Sequence, residues 1–149
     1  MKIIDDNKLC LEIGASHSPL LDHSKPTVFN IDVITRAELI DKNIKEAWGE
    51  FDKDLIPETD FTLSAQNDFD FYKCIGDDIK FDYIVSSHNF EHFPNFIKSL
   101  NSLEKILSTE GKIIAFIQDS RFIFDEYRNV TSISKLISDF HNNKKNPPF

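Results

Sequence analysis

Five short apolar runs punctuate the chain, at residues 9–13 (LCLEI), 28–31, 60–63, 81–85 (FDYIV) and 112–117 (KIIAFI). Between them lie longer segments that carry either helical spacing or polar loops. Strands that alternate with helices in this way are rich in β-branched residues when both faces of a parallel sheet are covered. The pattern therefore predicts a doubly wound α/β fold. After the second run, Thr35 and Glu38 have capping-box spacing. Ala37, Ile40, Ile44, Ala47, Trp48 and Phe51 then follow close to a helical period, predicting a helix from Arg36 to about Phe51. Pro94 suits a first helical position, and Ile97, Leu100, Leu103 and Leu107 mark one face of a helix expected to stop before Gly111. The first crossover, residues 14–27, contains Pro19 and Pro26 and is expected to be largely irregular.

At 149 residues the chain has one domain's worth of sequence, with 40% hydrophobic and 28% charged residues, a globular rather than a disordered balance. Seventeen basic residues against 25 acidic ones give a net charge of −8. Such a surface repels phosphate backbones, which argues against nucleic acid as a partner. No apolar run is long enough to span a bilayer, and the amino terminus turns acidic without a signal-peptide core. The expected location is cytoplasmic. Cys10 and Cys74 form no CxxC pair and are read as reduced thiols. The count of fourteen Phe beside one Trp and one Met fits an AT-rich coding genome and carries no functional weight.

Two places carry chemistry. In open α/β sheets, ligands bind at the carboxyl ends of the strands where the strand order reverses. Gly14 lets the chain turn sharply off the first strand in LEIGASHSPL, residues 11–20, where Ser16 and Ser18 offer hydroxyls and amides. Asp32, at the end of the second strand, stands where an acid binds both ribose hydroxyls; it equally suits a cap for the next helix beside Thr35. The places of the second and third glycines of a dinucleotide loop hold Ser16, His17 and Ser18, and no GxxxxGK[ST] is present. NAD, FAD and ATP are therefore disfavoured against a cofactor that carries adenosine without phosphate.

The second place is FDYIVSSHNFEHFPNFIKSLNSLEKILSTEGKIIAFIQD, residues 81–119. It resembles the fourth-strand to fifth-strand region of class I S-adenosylmethionine-dependent methyltransferases, and more narrowly the bacterial type 11 group. With LEIGASHSPL and NIDVITRAELI (residues 30–40), the resemblance covers most of residues 9–119. The stretch RFIFDEYRNVTSISKLISD, residues 121–139, also resembles methyltransferases encoded among glycan-assembly genes. The resemblance implies strand order 3-2-1-4-5, S-adenosyl-L-methionine as cofactor and a small or glycan-linked acceptor. Glu12 and Gly14 would start the cofactor loop, continued by Ala15 and Ser16. Asp32 would take the ribose hydroxyls, and residues 64–67, Asn67 among them, would approach the adenine. Ser87 and His88 would lie near the methionine moiety and the methyl group. As a neutral imidazole, His88 could also take a hydroxyl proton as general base.

His88, Glu91 and His92 include good zinc-ligand types, but no other element offers a matching pair, so no metal is expected. Glu91 and His92 are read as hydrogen-bonding around the next helix start, and Phe90, Phe93 and Phe96 as packing. Class I enzymes normally finish with two further strands. Only 32 residues follow Ile117, and residues 132–140 read as helix, so the sheet is expected to stop at five strands. Residues 1–141 are read as the cofactor-binding domain and 142–149 as a frayed tail. The unpaired fifth strand suggests a homodimer. The competing reading is a truncated or degenerate cofactor-binding module that serves as a non-catalytic partner subunit.

Overall fold

The structure, a computed structural model, describes residues 7–46, 52–119 and 130–145. Its centre is a five-stranded, all-parallel sheet in the order β3-β2-β1-β4-β5. The strands are β1 (Cys10–Ile13), β2 (Val28–Asp32), β3 (Phe61–Thr62), β4 (Phe81–Ser87) and β5 (Leu107–Phe116). The helices are α1 (Arg36–Glu46), α2 (Phe71–Ile75), α3 (Phe96–Ile106) and α4 (Ile133–His141). The order runs outward from β1 in one direction and then, from β4, in the other. Right-handed crossovers therefore place α1 on the opposite face from α2 and α3. α2 packs on α3, and α3 on α4.

Strand β1 is buried along its whole length, as a central strand covered on both faces must be. Leu11, Ile31, Phe71, Phe81, Ile84, Leu103 and Ile106 form the middle of the core. Each such side chain contributes roughly 1.5–3 kcal/mol by leaving water. The aspartate of the FDYIV run has a structural task at the amino ends of the strands, opposite to the end where the candidate site lies. Asp82 accepts from the Leu9 amide at 3.1 Å, from Ser108 Oγ at 3.3 Å and from Lys8 Nζ at 3.3 Å. It thereby ties the starts of β1, β4 and β5 together.

Local boundaries differ from the sequence expectation in three places. Leu107 belongs to β5, not to the helix: α3 ends at Ile106, and Leu107 pairs with Phe81. The register then jumps, so that Tyr83 pairs with Lys112, and residues 108–111 bulge outward. Gly111 is needed there, because a Cβ on it would lie 2.9 Å from the Phe81 and Ser108 carbonyl oxygens. Pro94 precedes the helix cap instead of occupying the first turn; Asn95 is the cap, its side chain accepting from the Lys98 amide. The five-residue helix α2 was not anticipated, since it is too short to show a period. The first crossover contains no helix, as its two prolines dictate. The predicted first helix is seen from Arg36 to Glu46, and its continuation through Ala47, Trp48 and Phe51 lies outside the described residues. So do residues 120–129 and the last four residues of the predicted tail.

Candidate active site

The carboxyl ends of β1, β2 and β4 meet where the strand order reverses, and most of the predicted residues gather there. Gly14 leaves β1 at a φ of +66°, a conformation that favours glycine, and its amide donates to the Ile31 carbonyl at 2.8 Å. Ala15 is buried, its amide 3.5 Å from Asn30 Oδ1. Ser16 also has a positive φ, of 49°, and its hydroxyl lies 3.1 Å from His17 Nδ1. Two left-handed residues two positions apart along β1's exit give a tight, open turn.

Glu12 holds the rest of that connection. Its carboxylate is buried and accepts from the Leu20 amide at 2.8 Å, the Leu21 amide at 3.0 Å and His23 Nε2 at 2.8 Å. A carboxylate with three donors is compensated for its burial. Its oxygens are thus engaged in anchoring the loop, and the loop is what reaches the site. A glutamate inside an apolar strand was the available signal that donors had to be supplied from elsewhere.

Asp32 ends β2 half-buried, with Oδ1 accepting from the Val33 amide at 2.6 Å. Burial raises its carboxyl above the ordinary range, opposed by the Val33 and Ile34 amides. The helix cap is built without it. Glu38 Oε2 accepts from the Thr35 amide and hydroxyl, both at 2.8 Å, and Thr35 Oγ1 accepts from the Glu38 amide at 3.3 Å. Asp32 therefore remains at the strand end as an acceptor group. Beside it, the Leu63 amide donates to the Asp32 carbonyl at 2.8 Å. The turn after β3 is then set by Asn67, which accepts from the Ser64 amide and donates to the Thr62 carbonyl, each at 2.9 Å. Asn67 shapes this rim with both ends of its amide.

Ser87 is the last residue of β4, and His88 follows at a φ of +54°. The His88 amide donates to the Phe116 carbonyl at 2.9 Å, which ties the end of β4 to that of β5 and leaves the ring mostly exposed. A left-handed histidine is uncommon and locally strained, and such residues cluster at functional sites. Its Nδ1 lies 3.8 Å from Glu91 Oε1. Sequence reasoning missed Asn89. Its Nδ2 donates to the Ile13 carbonyl at 2.9 Å and the Ser87 carbonyl at 2.7 Å, joining β1 to β4 directly beneath Gly14. An asparagine in SSHNFEH gives no sign of this, because its partners are backbone groups 76 and two residues away.

Burial pushes the Cys10 and Cys74 thiols up, which favours their protonated forms. Among the described residues, no group of three or more His, Cys, Asp or Glu is arranged to hold a metal. Among them, too, no helix is long and apolar enough to cross a membrane.

The sequence matches no family profile. It also matches no curated protein. Solved structures do resemble it. The plantazolicin methyltransferase BpumL, in complex with pentazolic desmethylPZN analog and SAH, superposes with a TM-score of 0.52 at 20% identity. That match covers 89% of this chain and 48% of BpumL, so the chain spans about half the length of this neighbour. Coclaurine N-methyltransferase, bound to N-methylheliamine and SAH, gives 0.45 at 17% identity, over 75% of this chain and 31% of that one. The CcbJ methyltransferase from Streptomyces caelestis gives 0.44 at 15% identity, over 72% of this chain and 42% of that one. The sheet order and the first of these define a doubly wound, Rossmann-like fold, the architecture that the chain shares with that methyltransferase.

Proposed function

We propose that the chain binds S-adenosyl-L-methionine and takes part in methyl transfer to a small or glycan-linked acceptor, as the type 11-like resemblance implies. The observation that carries this reading is the site at the switch point. A left-handed Gly14 turn stands beside a half-buried Asp32 that takes no part in the α1 cap, in a fold shared with a methyltransferase crystallised with SAH. Adenosine without phosphate suits a loop whose further glycine places hold Ser16 and Ser18. In this reading Gly14, Ala15 and Ser16 give the cofactor close backbone approach, Asp32 accepts from the ribose hydroxyls, and the Asn67 turn borders the adenine. Ser87 and His88 face the methionine end, where the sulfonium already activates the methyl group. The protein then has mainly to hold the acceptor in line and receive a proton, a task suited to the exposed His88 imidazole. Residues 1–141 would form the cofactor-binding unit.

Calorimetry with S-adenosylhomocysteine and, separately, with NAD tests the assignment. Tighter binding of NAD than of S-adenosylhomocysteine would overturn it. A second reading, a cofactor-binding partner subunit without turnover, is favoured by exposed Phe116 and Ile117 at the sheet edge. It expects cofactor binding with no methyl transfer to any acceptor.

A further inference from the structure

A cavity of about 190 Å³ opens beyond the carboxyl ends of β4 and β5, lined among others by Phe90, Glu91, Phe93, Phe96, Ile117 and Asp139. Two carboxylates border it, and they differ. Asp139 is matched by Lys135 and by Lys144 Nζ at 3.8 Å. Both Glu91 oxygens are buried with no hydrogen-bond partner among the described residues, and the His88 Nδ1 at 3.8 Å is beyond hydrogen-bond length. Carboxylate oxygens shielded from water without a hydrogen-bond donor, on a side chain otherwise 26% exposed and with His88 at ion-pair distance, are better compensated by an added cation. The apolar wall beside it is aromatic. Phe90 meets Phe93 edge to face at 5.0 Å and Phe96 at 6.0 Å. Aromatic rings attract cations across their faces and give anions no such gain.

We propose that this cavity is the acceptor pocket and that it takes an amine, held as its ammonium form with Glu91 as counter-ion. The inference rests on the methyl-transfer reading above, and it names the acceptor's reacting group. A carboxylate acceptor would be repelled by Glu91, and a hydroxyl would donate to one oxygen while leaving the charge uncompensated. Glu91 lies three residues beyond His88, which that reading sets beside the methyl group. In the transfer, the ammonium gives one proton to the Glu91 carboxylate or the neutral His88 imidazole. The freed nitrogen lone pair forms the N–C bond as the S–C bond of S-adenosylmethionine breaks. Its electron pair stays on sulfur, leaving a neutral thioether and a methylammonium.

The test titrates phenethylamine and its neutral counterpart 2-phenylethanol into the full chain, with S-adenosylhomocysteine titrated separately. The amine is expected to bind at least about tenfold more tightly than the alcohol, the scale of one partly desolvated cation interaction. In Glu91→Gln that preference should vanish while S-adenosylhomocysteine affinity holds and the melting temperature does not fall. Equal affinity for amine and alcohol in the parent protein overturns the proposal without recourse to any variant. So does a preference that survives Glu91→Gln. Should the parent prefer the amine through Glu91 yet fail to bind S-adenosylhomocysteine, the cation site stands and the methyl-transfer reading falls.

Discussion

The Asn89 amide closes against Gly14, and a Cβ on that glycine would lie 2.5 Å from Asn89 Oδ1 and 2.7 Å from Nδ2. The pair thus joins a backbone requirement, the φ of +66°, to a steric one. Gly14→Ala should cost about 1–2 kcal/mol for the left-handed turn and a further ~1–3 kcal/mol for displacing Asn89. Asn89→Ala should cost about 1–3 kcal/mol by leaving the Ile13 and Ser87 carbonyls without that donor. Denaturant unfolding of both single variants and the double variant checks the relationship. A shared clash makes the double variant less destabilised than the sum, whereas strict additivity would show that the two positions act separately.

Glu12 should behave as the anchor of the first crossover. Glu12→Ala leaves the Leu20 and Leu21 amides and His23 without their acceptor, and breaking a buried, hydrogen-bonded charge costs about 3–5 kcal/mol. Glu12→Gln keeps an acceptor oxygen and should lose less. Limited proteolysis should then cut within residues 15–26 in the alanine variant and spare the parent. Equal protection in both would remove Glu12 from this role.

The doubly wound parallel sheet was legible because five apolar runs alternate with helical or loop segments, and its order, 3-2-1-4-5, was implied by the methyltransferase resemblance. The placement of Gly14 and Asp32 at the ends of β1 and β2 was legible from the same runs, and strand ends at a reversal are where ligand groups collect. What escaped was of two kinds. Leu107 fits the apolar stripe of α3 and the first pair of β5 equally well, and only its partner Phe81 decides between them. Asn89, Asn30 and Asn67 act through their amides on backbone groups, and a single asparagine looks the same whether it clamps a strand or faces water. Glu91 was read as bonding around a helix start, but Asn95 caps that helix and the Glu91 carboxylate takes no hydrogen-bond partner among the described residues.

Asp32 separates stability from binding. Its carboxyl is raised chiefly by burial, so the folded chain holds that proton more tightly than the unfolded one does. Its contribution to stability therefore falls as pH rises from the unfolded value through the raised folded value, and it stays unfavourable above. Asp32→Asn removes this loss and should be at least as stable as the parent at neutral pH. Its affinity for S-adenosylhomocysteine should nevertheless fall by about 1.5–3 kcal/mol, the worth of charge-assisted bonds to ribose hydroxyls. In the parent, that affinity should rise with pH through the raised value, as the carboxyl ionises. Calorimetry across a pH series checks both, and equal affinity in variant and parent would remove Asp32 from the cofactor site.

The outer edge of β5 sets the last expectation. In the described sheet β5 has β4 on one side and no strand on the other. Phe116 and Ile117, 52% and 61% exposed, stand at its end, and Ile133 and Ile137 of α4 are 76% and 46% exposed. An unpaired edge with apolar side chains invites pairing with a second chain, and twofold association is the commonest closed solution. The chain is expected to form a homodimer through this edge. Sedimentation across a concentration series should show it, and Phe116→Lys should shift the protein to monomer without changing S-adenosylhomocysteine affinity. If the dimer also completes the acceptor site, methyl transfer will fall on dilution more steeply than in proportion to protein. A partner subunit without turnover would bind cofactor at every concentration and transfer no methyl group. A parent that sediments as a strict monomer throughout the series would rule the dimer out.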